Sequence, residues 1–65
     1  MPRKVRELIA DLERAGFKIK GGKGSHRRFQ HPQTKTRAIV SGNLGADALP
    51  YQEQQVMEAI KDSKL

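Results

Sequence analysis

The chain of 65 residues contains no cysteine, no tryptophan and no long apolar run. Without cysteine it can form neither a disulfide nor a thiolate zinc site, and this lack fits a reducing compartment. No run approaches the ~20 apolar residues of a membrane-spanning helix, and no signal-peptide segment is evident. We therefore expect a soluble cytoplasmic protein with no membrane segment, folded as a single domain over residues 1–65. Because so short a chain lies near the lower limit for stable folding, a protein partner is also expected.

Acidic residues are missing from the middle of the chain. The formal net charge is +6, and no Asp or Glu lies between Lys18 and Arg37. The basic residues of this central block are Lys18, Lys20, Lys23, Arg27, Arg28, Lys35 and Arg37. A basic excess can serve solubility alone, but its concentration in one block favours a polyanionic partner, above all a nucleic acid.

The opening stretch "PRKVRELIADLERAGF" predicts an amphipathic helix. Its apolar residues recur at i, i+3, i+4 and i+7, in the order Val5, Leu8, Ile9 and Leu12. Pro2 suits the first turn, and Gly16 suits the left-handed position just past the end. We predict that this helix forms part of the core and carries no chemistry.

Short segments of alternating character after this helix predict strands. "FKIK" predicts a first strand with Phe17 and Ile19 facing the core, and "GGKG" predicts a turn whose glycines allow positive φ and the close approach of another molecule. "SHRRFQH" predicts a second strand anchored by Phe29. Strict alternation then places three side chains on the opposite, open face: His26, Arg28 and Gln30. A break in register would instead leave His26 at the strand edge, beside the glycine turn.

The remaining segments complete a two-layer α+β fold. "HPQTKT" predicts a turn at Pro32, "RAIVS" a third strand and "GNLGADALP" a loop. "PYQEQQVMEAIKDSKL" predicts a second helix that begins at Pro50, with an apolar face formed by Tyr51 or Gln52 together with Val56, Ala59 and Ile60. Three successive strands make an antiparallel sheet, and two helices can cover one of its faces. The expected fold is of the double-stranded-RNA-binding-domain type, with the basic second face left open.

His26 is the residue best suited to catalysis. It follows Gly24 and Ser25 and precedes Arg27 and Arg28. An imidazole can both accept and donate a proton near neutral pH, and surrounding cations stabilise the charge of a phosphodiester under attack. RNA supplies its own nucleophile, the 2′-OH, so this site would need no metal and no other cofactor. The alternative is an exposed histidine that contacts phosphate or nothing.

Other catalytic patterns are weaker. His31 precedes Pro32 and is expected to serve the turn, and no Cys or carboxylate lies near the two histidines to complete a metal site. Ser25 and His26 are adjacent and have no acid nearby, so they do not form a triad. "GGKG" is too short for a phosphate-binding loop. The two phenylalanines are needed in the core, which leaves no aromatic platform for stacking bases.

The segments "ELIADLERAGF" and "GKGSHRRFQHP", followed by a short strand and a C-terminal helix, resemble the HicA family of small toxins. These toxins are the ribonuclease half of HicA–HicB toxin–antitoxin pairs. The resemblance implies a double-stranded-RNA-binding-like fold and metal-independent cleavage of mRNA. It assigns the family's motif histidine to His26 and its glycine to Gly24. It also implies a HicB-type antitoxin as the partner that masks this histidine.

The residues leave three functions open. The leading hypothesis is an endoribonuclease toxin, in which His26 moves the protons and the RNA is held by Lys23, Gly24, Ser25, Arg27 and Arg28. The second is a binding module of the same fold that holds RNA or DNA without cutting it. The third is a small interaction subunit whose charge complements an acidic protein.

Overall fold

Two helices and three strands follow one another in the predicted order in the computed structural model, which describes residues 3–64. The elements are α1 (Val5–Arg14), β1 (Lys18–Gly21), β2 (Arg27–Gln30), β3 (Arg37–Val40) and α2 (Pro50–Asp62). The strands form one antiparallel sheet in the order β1-β2-β3. The predicted α+β fold is therefore confirmed. Pro2, which we predicted in the first turn of α1, lies outside the described residues.

Helix α1 ends in a Schellman motif that its sequence encodes. Gly16 takes the left-handed position with φ of 100°. The N–H of Gly16 then donates to the carbonyl of Glu13 at 3.0 Å, and the N–H of Phe17 donates to the carbonyl of Leu12 at 3.0 Å. Leu12 and Phe17 are both fully buried, so the apolar contact that usually accompanies this motif is present. The helix end thus delivers Phe17 into the core directly before β1.

The core lies between the two helices and one face of the sheet. Its buried apolar residues are Val5, Leu8, Leu12, Phe17, Phe29, Ala38, Val40, Ala48, Val56 and Ala59. They come from both helices, from β2 and β3 and from the segments beside them, so both helices cover the same face. Within residues 3–64, no helix has the length and the apolar character needed to cross a membrane.

Helix α2 begins at Pro50 as predicted and turns Gln52, not Tyr51, towards the core. Gln52 is buried, whereas Tyr51 is 56% exposed. The Gln52 amide group donates to the carbonyl of Ser41 at 2.9 Å and accepts from the N–H of Leu49 at 2.9 Å. The buried amide is therefore satisfied on both sides, and it joins the start of α2 to the end of β3.

The predicted burial of Ile19 is wrong. Its side chain is 60% exposed, although the register pairs it with the buried Phe29 and so puts both on the same side of the sheet. β1 is an edge strand, and both helices pack against β3 at the far edge of the sheet. Ile19 thus faces the correct side but lies beyond the area that the helices cover.

Candidate active site

The turn between β1 and β2 is built around two glycines with different roles. A Cβ at Gly22 would lie 1.9 Å from the carbonyl oxygen of His26, so only glycine lets the two ends of the turn touch. Gly24 has φ of 58°, and a Cβ there would meet no atom within 4 Å. The N–H of His26 donates to the carbonyl of Lys23 at 2.9 Å and closes the turn. Gly22 is therefore required because the backbone of His26 packs against it, and Gly24 because of its left-handed backbone conformation.

His26 lies directly before β2 and is exposed. β2 begins at Arg27, so the observed strand is shorter than the predicted "SHRRFQH". The alternative of a histidine beside the glycine turn is confirmed. Within residues 3–64, no side-chain hydrogen bond involves the imidazole of His26. The ring is therefore accessible to a ligand, and its backbone is fixed by Gly22 and Lys23.

Arg27 connects this turn to the loop that follows β3. Its Nη1 atom donates to the carbonyl of Ser25 at 3.1 Å and to the carbonyl of Gly42 at 2.9 Å. Arg27 is half-buried and pairs with Val40, the last residue of β3. These bonds hold a positive charge beside His26 at one end of the sheet.

Two further cations lie at the same end and are exposed. Lys23 is part of the turn, and Arg28 is the second residue of β2. The Nη2 atom of Arg28 lies 3.6 Å from the position that a Cβ at Gly21 would take, so its guanidinium extends over the last residue of β1. Lys23, Arg27 and Arg28 thus lie within three residues of His26 along the chain, and both Lys23 and Arg28 are exposed to solvent.

The loop of residues 41–49 supports the site, a role that no local sequence pattern predicted. Its carbonyls at Ala46 and Leu44 accept the first N–H groups of α1, from Val5 at 2.9 Å and from Arg6 at 3.1 Å. These bonds satisfy N–H groups that a helix start leaves without partners in the helix. The loop is thus fixed to α1 at one side and to Arg27 at the other. Arg27 pairs with the end of β3 in the antiparallel sheet, and this pairing brings the loop close to the turn before β2.

His31 is buried and serves the turn, as predicted. Its Nδ1 atom accepts from the N–H of Gln33 at 3.2 Å and from that of Thr34 at 3.4 Å. Its ring meets the ring of Phe17 edge-on, with the centroids 5.4 Å apart. The ring of His31 is therefore engaged in structural contacts, whereas the ring of His26 is exposed.

Two acidic side chains form ion pairs with cations outside the central basic block. Asp11 pairs with Arg3 at 2.7 Å and also with Arg14, and Asp47 pairs with Lys4 at 2.5 Å. Among residues 3–64, these pairs account for every ion pair, and none includes a residue of the central basic block. In the same range, no three side chains of His, Cys, Asp or Glu lie close enough together to hold a metal ion.

The chain folds as a small basic α+β domain with an exposed histidine directly before its second strand. The sequence matches the model of the HicA toxin family of bacterial toxin–antitoxin systems over residues 5–65. This match covers nearly the whole chain, and the protein therefore belongs to the HicA toxin family. No curated protein gave a sequence match. Membership gives the chain the role of a toxin and implies a HicB-type antitoxin as its partner.

Proposed function

We propose that this HicA-family toxin is an endoribonuclease that cleaves mRNA, with His26 as the acid–base group. The observation that supports it best is the exposed imidazole at one end of the sheet, with three cations within three residues of it along the chain. His26 is the exposed histidine of the pair, since His31 is buried against Phe17. An accessible imidazole among cations is suited to proton transfer at a phosphodiester.

The proposed reaction is an internal transfer of the phosphoryl group. The imidazole of His26 accepts the proton of a ribose 2′-OH as the 2′ oxygen forms a bond to the adjacent phosphorus. The bond between phosphorus and the 5′ oxygen breaks, and the leaving oxygen takes a proton from solvent. The products are a 2′,3′-cyclic phosphate and a free 5′-OH. Lys23 and Arg28 stabilise the charge that builds up on the phosphoryl oxygens.

The remaining predicted contacts have distinct roles in this proposal. Gly24 and Ser25 present the backbone of the turn to the RNA. Arg27 is held by the carbonyls of Ser25 and Gly42, so it supplies a fixed charge and keeps the turn in place. Lys23 and Arg28 are the exposed cations that contact phosphate. No metal ion and no other cofactor takes part, because the 2′-OH is the nucleophile and His26 the base.

The HicB-type antitoxin is proposed to inhibit by covering His26. The turn of residues 22–26 and the loop of residues 41–49 meet at the same end of the sheet through Arg27. A partner that docks on this end would block the imidazole and the two accessible cations together. We expect bound antitoxin to protect His26 from modification by diethyl pyrocarbonate.

A second function is favoured by one specific observation. Catalytic histidines are commonly oriented by a third group, and none of residues 3–64 makes a hydrogen bond to the His26 ring. A non-catalytic module that binds RNA or DNA through the same basic surface would need no such partner. The two functions differ at a single imidazole, so one substitution separates them.

The decisive experiment compares the wild-type chain with His26→Ala in buffer containing EDTA. We expect the substitution to reduce RNA cleavage by about 10²–10⁴-fold, the usual contribution of a general acid–base group. RNA affinity and melting temperature should change little, because an exposed side chain contributes little packing. Expression in cells should arrest growth for the wild type only.

Two results would contradict the proposal. Equal cleavage by His26→Ala would remove the histidine from the mechanism. Loss of wild-type cleavage in EDTA would require a metal ion. If the wild-type chain binds RNA tightly and leaves it intact in either buffer, the binding module is the correct function.

A further inference from the structure

The open face of the sheet carries a continuous set of side chains, of which the proposed chemistry uses only Arg28. The residues are Lys20, Arg28, Gln30, Arg37 and Ile39, which we call the basic face. They line a shallow groove of about 520 Å³. The register pairs Arg28 with Ile39 and Gln30 with Arg37, so these four point to the same side of the sheet, opposite to Phe29. The face is therefore a defined surface and not a chance grouping of exposed residues.

None of the cations of the basic face forms an ion pair within the part of the chain that the structure describes. Lys20, Arg28 and Arg37 are exposed, and the ion pairs among residues 3–64 all involve other cations. Three unpaired cations on one side of a three-stranded sheet repel each other, and a polyanion relieves that repulsion. The complementary ligand is thus a chain of phosphates.

The dimensions of the basic face match one nucleic-acid strand. Three strands spaced about 4.8 Å apart give a width of about 10 Å, and rows two residues apart are separated by about 6.8 Å. That spacing is comparable to the distance between successive phosphates of an extended strand. A double-stranded RNA, in contrast, is recognised by contacts spread over about 16 base pairs. The basic face is too small for such a footprint.

An exposed isoleucine in the centre of this charge supports the same ligand. Ile39 is 58% exposed, pairs with Arg28 and lies two residues from Arg37 on the same strand. An aliphatic side chain between two guanidiniums offers an apolar contact to a ribose or an unstacked base. In a duplex the base faces are stacked inside, so only a single strand can offer an unstacked base to this contact.

The basic face adjoins the candidate active site. β2 leads from His26 through Arg28 to Gln30, and Arg28 also extends over Gly21 beside the turn. We propose that the basic face binds an extended single strand of RNA and guides it to His26, so that unpaired RNA is the substrate class. This inference rests on the proposed function for the cleavage step, but the binding itself does not require cleavage.

The test measures binding in the His26→Ala protein, so that the RNA stays intact. A short labelled RNA is titrated as a single strand and annealed to its complement, with fluorescence anisotropy as the readout. We expect the single strand to bind more tightly. In this protein, Lys20→Ala and Arg37→Ala should each weaken single-strand binding roughly fivefold at 0.1 M salt and reduce the salt slope of log K by about 0.7, the loss of one phosphate contact.

Lys61→Ala is the matched control, since it removes the same charge from an exposed position on α2. It should leave the affinity within about twofold of the parent. Equal effects of Lys61→Ala and Arg37→Ala, or equal affinity for the duplex, would overturn the proposal. Neither result would affect the role of His26, which depends on the cleavage comparison.

Ile39→Lys separates apolar contact from charge. If only charge mattered, the added cation would strengthen binding to single strand and duplex alike. We expect it instead to reduce the preference for the single strand, because the apolar contact is lost. An unchanged preference, with an unchanged circular-dichroism spectrum, would overturn the single-strand geometry.

Discussion

At the scale of single residues, Gly22 holds the backbone of His26, the proposed catalytic residue, in place. Gly22→Ala would put a Cβ 1.9 Å from the carbonyl oxygen of His26, in a backbone conformation with φ of 143° that side chains rarely adopt. The turn must open, and His26 must move with it. Since a displacement of about 1 Å can reduce catalysis about 100-fold, we expect a loss of that order in the RNA-cleavage assay.

Gly24→Ala is the comparison for this prediction. A Cβ at Gly24 meets open space, so the substitution costs only the left-handed conformation, about 1–2 kcal/mol. Cleavage by Gly24→Ala should therefore exceed cleavage by Gly22→Ala. Equal losses would mean that flexibility of the turn matters and that the contact with His26 does not.

The two histidines should respond in opposite ways to truncation. His31→Ala removes a buried ring that contacts Phe17 and accepts two backbone N–H groups. We expect a loss of about 2–4 kcal/mol in the free energy of unfolding, which corresponds to a fall of roughly 10–25 °C in melting temperature for a domain of this size. Thermal denaturation followed by circular dichroism measures it. A melting temperature of His31→Ala as high as that of His26→Ala would contradict the structural role.

At the scale of elements, β2 depends on a single buried side chain. Phe29 is 3% exposed and lies in the middle strand of the sheet, paired with Ile19 on one side and Ala38 on the other. Phe29→Ala should cost about 3–5 kcal/mol, which is comparable to the whole stability of so small a domain. We expect the variant to be largely unfolded at 25 °C, as urea denaturation would reveal. A melting temperature equal to that of the wild type would mean that Phe29 is not a core residue.

Local chemistry made most elements predictable from the sequence. The stripe that includes Leu8 and Leu12 predicted α1, and Gly16 predicted its end, because helix periodicity and left-handed caps depend on nearby residues. Pro50 marked the start of α2 for the same reason. The turn around His26 was also predictable, since three glycines in four positions favour positive φ.

The features that sequence reasoning missed depend on distant partners. Ile19 alternates correctly but is exposed, because burial in an edge strand depends on where the helices pack. Gln52 was predicted only as an alternative to Tyr51, and its amide donates to the distant carbonyl of Ser41 and accepts from the nearby N–H of Leu49. Arg27 was predicted as a phosphate contact, and its bond to Gly42 arises only when β2 pairs with β3.

At the scale of the whole molecule, positive charge is separated from negative charge. The acidic residues lie on the helices and the loop beside them, whereas every charged residue on the open side of the sheet is a cation. Such an arrangement favours binding of a polyanion and opposes folding through self-repulsion. The cations that strengthen binding of a polyanion therefore lower the stability of the fold.

Removal of one cation from the basic face should therefore raise the stability of the fold. Arg37→Gln removes one of the mutually repelling charges of the basic face, at an exposed position of the edge strand β3. Two unit charges about 7 Å apart in water repel by roughly 0.6 kcal/mol before screening, so relief from two neighbours is worth up to about 1 kcal/mol. For a domain of this size, that corresponds to a rise of up to roughly 4–8 °C in melting temperature at low salt. The gain should shrink as salt is raised, because the Debye length falls to about 10 Å at 0.1 M and about 3 Å at 1 M. Lys61→Gln, which removes a charge from α2 instead, should give a smaller rise. Differential scanning fluorimetry across a salt series measures both variants, and a gain for Arg37→Gln that persists at 1 M salt would show that repulsion within the basic face is not its cause.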